Sequence, residues 1–182
     1  KELQIYLDDA FKFYAAFFGS ILAGAAPYVL AKPIFEENLT AVNDENFSNF
    51  LLKEPTKGVK FDPQAKFYLQ TSGSSGKSKM IEKSLAQMIK ESEYLATELN
   101  FSSQNTFFSS VSHRHMFGLT FKVFLPLVLG ARVIADELNY PEAILGLGLA
   151  NHVFIASPVL LRTITQSPAA SALKGLSGIV SA

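Results

Sequence analysis

The sequence contains no cysteine. A disulfide framework, a thiolate zinc site and a cysteine nucleophile are therefore excluded. Histidine is scarce as well: His113, His115 and His152 are too few and too weakly patterned for a metal site, and no metal ligand is assigned. Net charge is also lacking. Lys and Arg number 16, as do Asp and Glu, so no global field draws the chain to nucleic acid or to an anionic membrane. There is no internal repeat and no low-complexity tract. A transmembrane segment is missing too. Phe13 to Ala31 is free of charge and approaches the ~20 residues that cross a bilayer. However, Asp8 and Asp9 precede it where a signal peptide carries positive charge. Gly24 and Pro27 interrupt it where a helix end and a new strand would fall. The stretch reads as a buried helix followed by a buried strand.

What is present is an ordinary globular composition, 48% apolar and 18% charged over 182 residues, which suits one domain or one large piece of a domain. The chain begins at Lys1 rather than at a methionine, and Gly178 to Ala182 reads as a strand with nothing after it. Both ends are expected to be cuts within a larger chain.

Ile5–Leu7, Pro27–Leu30, Lys66–Gln70, Thr106–Val111, Arg132–Ala135, His152–Ala156 and Ile179–Ser181 read as strands. Helices are expected over Asp9–Ala23, closed by Gly24, and from Ser84, where Ser84 and Gln87 make a capping box, through Leu99. Further helices are expected over Phe117–Leu129, stopped by Gly130, over Tyr140–Leu149 and over Pro158–Gln166. Glu36–Leu52 reads as mostly helical with an interruption at Asn43–Asn46, and Pro55–Asp62 as a loop. From Lys66 onward strands alternate with helices, and the strands are apolar on both faces. That pattern predicts an α/β fold with a mostly parallel sheet flanked by helices. Residues 1–65 form a first portion and 66–182 a strand-loop-helix portion.

The most informative stretch is Tyr68-Leu-Gln-Thr-Ser-Gly-Ser-Ser-Gly-Lys-Ser-Lys79, which follows a strand and precedes a helix. Successive small residues let backbone N–H groups converge on one anion. Gly73 and Gly76 allow backbone angles that other residues resist, while Thr71, Ser72, Ser74 and Ser75 add hydroxyls and Lys77 and Lys79 add positive charge. Everything here suits a polyphosphate. A Walker A loop, G-x-x-x-x-G-K-[ST], fits at Gly76-Lys77-Ser78, but its first glycine would fall on Thr71. Another kind of phosphate loop and a flexible Gly/Ser linker are the remaining readings.

Tyr68 to Lys79 resembles, at every position, the phosphate loop of AMP-forming ligases, with Ser78 in place of the commoner proline. Phe11 to Leu30 resembles that family's early helix and strand. Ser112-His-Arg-His-Met-Phe-Gly-Leu119 resembles its H-x-x-G-L segment, Pro126 to Ile134 its P-L-x-x-G-A-x-V-V, and Ser157 to Leu161 its V-P-x-x-L. The chain thus resembles the adenylate-forming superfamily of acyl- and aryl-CoA synthetases, adenylation domains and luciferases, as part of the large N-terminal domain. The resemblance implies ATP-dependent activation of a fatty or aryl carboxylic acid as acyl-adenylate, with release of pyrophosphate. It further implies Mg²⁺ beside ATP, transfer to coenzyme A or to the phosphopantetheine of an acyl carrier protein, and a cytoplasmic setting.

By the same resemblance Thr71, Ser72, Gly73, Ser74, Ser75, Gly76 and Lys79 hold phosphates, and Lys79 and His115 serve catalysis, His115 lining the acyl pocket. The competing reading of His115 is a helix-start histidine satisfied locally. His113 and Arg114 read equally as solvated neighbours, His152 as structural, and the phenylalanines at 107–108 and 117–124 as core. The family's later motifs are absent, so the chain is expected to be inactive alone. A nucleotide-binding module without ligase activity, kinase-like or degenerate, is the alternative.

Overall fold

The computed structural model describes residues 2–51, 61–71 and 78–182. The chain divides into two compact units. One runs up to Lys90 and includes Arg114–Met116; the other comprises Glu91–His113 and Phe117–Ala182.

In the first unit, β1 (Glu2–Tyr6), α1 (Ala10–Leu22), β2 (Ala26–Val29), β3 (Thr40–Asn43), β4 (Lys66–Thr71) and β5 (Lys79–Ser84) lead into α2 (Leu85–Glu98). Local chemistry sets the bounds of α1. The Asp9 carboxylate accepts the Lys12 N–H at 2.9 Å and caps its start. At its end Gly24, at φ +73°, donates to the Ile21 carbonyl while Ala25 donates to Ser20, both at 2.9 Å. That pair of bonds is a Schellman close, and it needs the left-handed conformation that glycine adopts without strain. Gly130, at φ +62°, ends the later helix with the same two bonds, to Leu127 and Pro126. The capping box at the start of α2 is formed in both directions: Gln87 N–H donates to Ser84 Oγ at 3.2 Å, and Ser84 N–H to Gln87 Oε1 at 2.9 Å.

The strands assemble in the order β3-β1-β2-β4-β5, parallel except for the β4–β5 pair. One face of this sheet is apolar. Ile5, Val29, Val42, Phe67 and Leu69 are fully buried, as are Phe13 and Phe17 of α1, and Phe17 meets Phe67 edge to face at 5.0 Å. The other face is polar, with Gln4, Tyr28, Tyr68 and Glu82 in register across β1, β2, β4 and β5.

The second unit carries the all-parallel sheet β7-β6-β8-β9, made of β6 (Thr106–Ser109), β7 (Arg132–Glu137), β8 (His152–Ala156) and β9 (Gly178–Ser181). Its strands alternate between two cores. Phe107, Val153 and Ile155 pack with Ala96 and Leu125, whereas Phe108, Phe154 and Ala156 pack with Ile144 and Ile164. Burial on both faces is the usual condition of a parallel sheet. The helical cover comprises the end of α2, the segment α3 (Met116–Gly118), a π-helical stretch (Leu119–Phe124) and α4 (Leu125–Leu129), together with α5 (Pro141–Leu145) and α6 (Pro158–Thr165).

The α/β expectation with parallel sheets flanked by helices holds, but several elements differ from the sequence reading. The described residues form two sheets, and β4 alternates buried and part-exposed residues because only one face of its sheet is apolar. Glu36–Leu52 is not mostly helical: Thr40–Asn43 pairs with β1 as β3, and only Phe47–Phe50 winds, as a 3-10 turn. Asn43–Asn46 is the turn between them, closed by the Asn43 and Asn46 side chains accepting each other's backbone N–H at 3.0 and 2.9 Å. The helix expected over Tyr140–Leu149 is only the five-residue α5. Lys79 lies in a strand, not a loop. The boundary between the units falls within α2, and residues 66–90 belong with the sheet of the first portion. The Pro55–Asp62 loop lies mostly outside the described residues.

Truncating Phe67 to alanine removes the ring that joins β4 to α1. A loss of about 3–5 kcal/mol is expected, read as a fall in the urea midpoint with an unchanged denaturant slope.

Candidate functional site

Parallel strands deliver their following segments to one edge of a sheet, and ligands of open α/β sheets bind at that carboxyl edge. Ile5, Val29 and Leu69 are neighbours across β1, β2 and β4. Two residues further on, Leu7, Ala31 and Thr71 therefore share one row, with Leu7 and Thr71 roughly 10 Å apart, two inter-strand spacings. The segments that leave from this row are the ones that matter.

Thr71 is the last residue of β4 and faces Lys79, the first of β5, in the antiparallel register. The Thr71 hydroxyl donates to the Lys79 carbonyl at 3.2 Å. The stretch between them thus begins and ends at a hydrogen-bonded neck. Ser72, Gly73, Ser74, Ser75, Gly76 and Lys77 lie outside the described residues. The neck has a brace that sequence reading missed: Gln70 Oε1 accepts the Ala31 N–H at 3.0 Å, and its amide nitrogen donates to Ser78 Oγ at 3.3 Å. Gln70 therefore ties the exit of β2 to the return of the hairpin. An amide, donor and acceptor in one group, can do both. A glutamine directly after the apolar and aromatic run Phe67-Tyr-Leu69 was the available signal.

Behind the neck, the polar face is linked from strand to strand. Glu82 accepts from Tyr68 and pairs with Lys66, each at 2.8 Å, and both bonds draw its pKa below the ordinary value. Tyr68 stacks on Tyr28 at 4.5 Å, and Tyr28 donates to Glu2 at 2.8 Å.

His115 is exposed and belongs to the first unit, as Thr71 and Lys79 do. Its neighbours are not solvated. His113 is fully buried, and the Arg114 side chain is only 12% exposed. Arg114 Nη1 donates to the Leu7 carbonyl at 3.0 Å and pairs with the Asp8 carboxylate, and the guanidinium lies 4.2 Å from the centre of the Tyr6 ring. The turn it grips is held from other sides too. The Asp8 N–H donates to Asp44 at 2.8 Å, and Asp44 pairs with Lys12 at 3.4 Å. Partial burial pushes the Asp44 carboxyl up, but its bonds from Asp8, Lys12 and Asp9 outweigh burial and leave its pKa below the ordinary carboxylate value.

The glycine of the H-x-x-G-L segment has a packing reason. A Cβ on Gly118 would collide with the backbone carbonyl of Ser112. Ser157, in the last of the resembling segments, caps α6 by accepting the Leu160 N–H at 3.3 Å, while its own N–H donates to Ser110 at 2.9 Å. His152 is held locally by the Ala150 carbonyl at 2.9 Å, and Phe107, Phe108 and Phe124 are core. Among the described residues no cluster of histidines and carboxylates could hold a metal ion, and no helix is long and apolar enough to cross a membrane. A cavity of about 440 Å³ between α1, β3 and the Phe47–Phe50 turn contains none of the expected site residues.

No family model matches the chain. Solved structures do. ATP-bound MatB from Rhodopseudomonas palustris superposes with a TM-score of 0.79 at 14% identity, over 100% of this chain and 44% of that one. O-succinylbenzoate coenzyme A synthetase (MenE) from Bacillus subtilis, in complex with AMP, gives 0.77 at 14% over 100% and 44%. The N-terminal subdomain of Klebsiella oxytoca NpsA, in complex with 3-hydroxybenzoyl-AMSN, gives 0.77 at 12% over 100% and 53%. The chain has the α/β fold of the N-terminal region of adenylate-forming enzymes. More particularly, its full length matches about half of the MatB, MenE and NpsA chains, which makes the activity of a whole enzyme a matter for proposal.

Two outcomes are expected. Gly118→Ala forces the Ser112 backbone aside and lowers the thermal midpoint by several degrees, whereas Gly19→Ala, at a position with open space around it, does not. Asp44 is depressed in the folded chain, so its contribution is present above the unfolded pKa and is lost as pH falls through the folded one. Stability measured from pH 6 to 2.5 should fall less steeply in Asp44→Asn than in the parent below about pH 4.

Proposed function

We propose that the protein carrying this chain is an AMP-forming carboxylate ligase, and that this chain supplies the phosphate-gripping and part of the acyl-binding surface of its N-terminal domain. The single observation that carries the reading is the braced Thr71/Lys79 neck, with the motif of Tyr68–Lys79 threaded through it, at the carboxyl edge of a parallel sheet. The likeness to the folds of ATP-bound MatB and AMP-bound MenE supports it.

A carboxylate is a poor electrophile, and adenylation repairs that. One carboxylate oxygen of a fatty or aryl acid attacks the α-phosphorus of ATP, the bond to the bridging oxygen breaks, and pyrophosphate leaves. A thiol, of coenzyme A or of an acyl carrier protein's phosphopantetheine, then attacks the acyl carbon and AMP departs. Negative charge grows on the phosphates in the first step. Thr71, the glycines and serines of positions 72–76 and the Lys79 ammonium stand in this reading as the donors that meet it, where pre-placed donors lower the barrier most. His115 borders the acid. Mg²⁺ enters as the companion of ATP and supplies further charge neutralisation; among the described residues no acidic cluster is set out to hold it. The setting is cytoplasmic, and the isolated chain is inactive.

The test is acid-dependent exchange of labelled pyrophosphate into ATP by the intact protein, offered a pool of fatty and benzoic acids. Exchange that requires an acid is expected. Lys79→Ala should slow it about 10²-fold with an unchanged thermal midpoint. Formation of ADP instead of AMP, or exchange indifferent to Lys79→Ala, overturns the assignment.

A further inference from the structure

The turn that follows β1 is built with more care than a connection between a strand and a helix requires. Asp9 caps α1, Asp44 accepts the Asp8 N–H, and the remaining acceptors, the Leu7 carbonyl and the Asp8 carboxylate, are both taken by one side chain that arrives from more than 100 residues away. That side chain is Arg114. Its guanidinium also lies on the Tyr6 ring at 4.2 Å, so it is fixed in position by two acceptors and in plane by the ring. A lysine is a point charge with no plane to stack; a planar fork with several donors can serve two acceptors while lying on a ring.

The contact isolates Arg114–Met116 from the residues on either side. His113 and Phe117 belong to the second unit, but these three residues belong to the first. His115 is the middle one, and among the described residues it makes no hydrogen bond of its own that would set its place. Its backbone is set one peptide away, by Arg114. Because Leu7 lies in the same row as Thr71, two strands off, the grip fixes His115 at the edge where the phosphate neck opens.

We propose that Arg114 is a positioning residue that seats His115 at this edge, with Tyr6, Leu7 and Asp8 as its socket. The proposal rests on the adenylation reading for its consequence in the reaction, though not for the seating itself. It names a group outside the phosphate motif on which the acid-facing side of the site depends, and it assigns the arginine of the S-H-R-H segment a role that the resemblance does not.

The test has two arms. In the first, pyrophosphate exchange is measured with the fatty and benzoic acid pool for Arg114→Lys, Asp8→Asn and His115→Ala, and for each of the first two combined with His115→Ala. Arg114→Lys should lower the exchange rate about tenfold, a displacement effect, with the KM for ATP within about twofold of the parent. Asp8→Asn should act in the same direction and less. In the His115→Ala background neither should have a further effect, since a residue that acts through another loses its effect when the other is gone. A merely structural arginine would give multiplying losses and a raised KM for ATP, and that result overturns the proposal. In the second arm, histidine-labelled protein is observed by NMR, with the His115 ring assigned by its loss in His115→Ala. Arg114→Lys and Asp8→Asn should shift the His115 resonance and leave that of His152 in place; an unmoved His115 signal also overturns the seating. Absence of any acid-dependent exchange in the parent protein would strike the adenylation reading alone, because the resonance arm decides the seating without it.

Discussion

The double pairing of β4, parallel to β2 on one side and antiparallel to β5 on the other, is the constraint on which the candidate site depends. A parallel strand sends its chain away through a crossover, so nothing that follows it need return nearby. An antiparallel partner requires the opposite: the chain must come straight back. β4 does both jobs. Its pairing with β2 places Thr71 in the row of strand exits, and its pairing with β5 brings Lys79 back to face it. Thr71 and Lys79 are thereby held at one width, and Gln70 fastens that width to the neighbouring exit at Ala31.

The two faces of this sheet have different work. On the apolar face, Phe67 and Leu69 of β4 join Ile5, Val29 and α1 in a packed layer, which gives the strand its stiffness. On the polar face, the chain of contacts from Glu2 through Tyr28, Tyr68 and Glu82 to Lys66 fixes register across four strands by specific pairing instead of volume. A one-residue slip of β4 would put Tyr68 into the apolar layer and Phe67 onto the polar face, so the two faces together forbid it.

Much of this was legible in the sequence where the cause is local. Asp9, Gly24, Ser84 with Gln87, and Gly130 act through bonds to residues within five positions of themselves, and each marked its helix end correctly. The central strands of the second unit, β6 and β8, were legible because both their faces are buried and their apolar runs are short but unbroken. What escaped was decided at a distance. Thr40–Asn43 and Lys79–Ser84 are unremarkable by composition; they are strands because β1 and β4 offer them unpaired backbone groups. The motif of Tyr68–Lys79 stood out in the sequence, but the strand that begins at its last residue did not. Arg114 read as evenly balanced between a solvated neighbour and something more, because its partners, Tyr6 to Asp8, stand more than 100 residues earlier.

One further consequence follows from β5 as the outermost strand of its sheet. Among the described residues no strand pairs with its other side, which presents a ladder of backbone donors and acceptors, and its exposed Met80 and Ile81 are 42% and 39% open to water. Such an edge is a template for recruiting a second strand from another molecule. Lys79, Glu82 and Lys83 are distributed along it, and charges that would have to be stripped of water on stacking discourage that recruitment. The charge of Lys79 thus counts against edge-to-edge pairing whatever else it does, so changes that neutralise this strand bear on solubility.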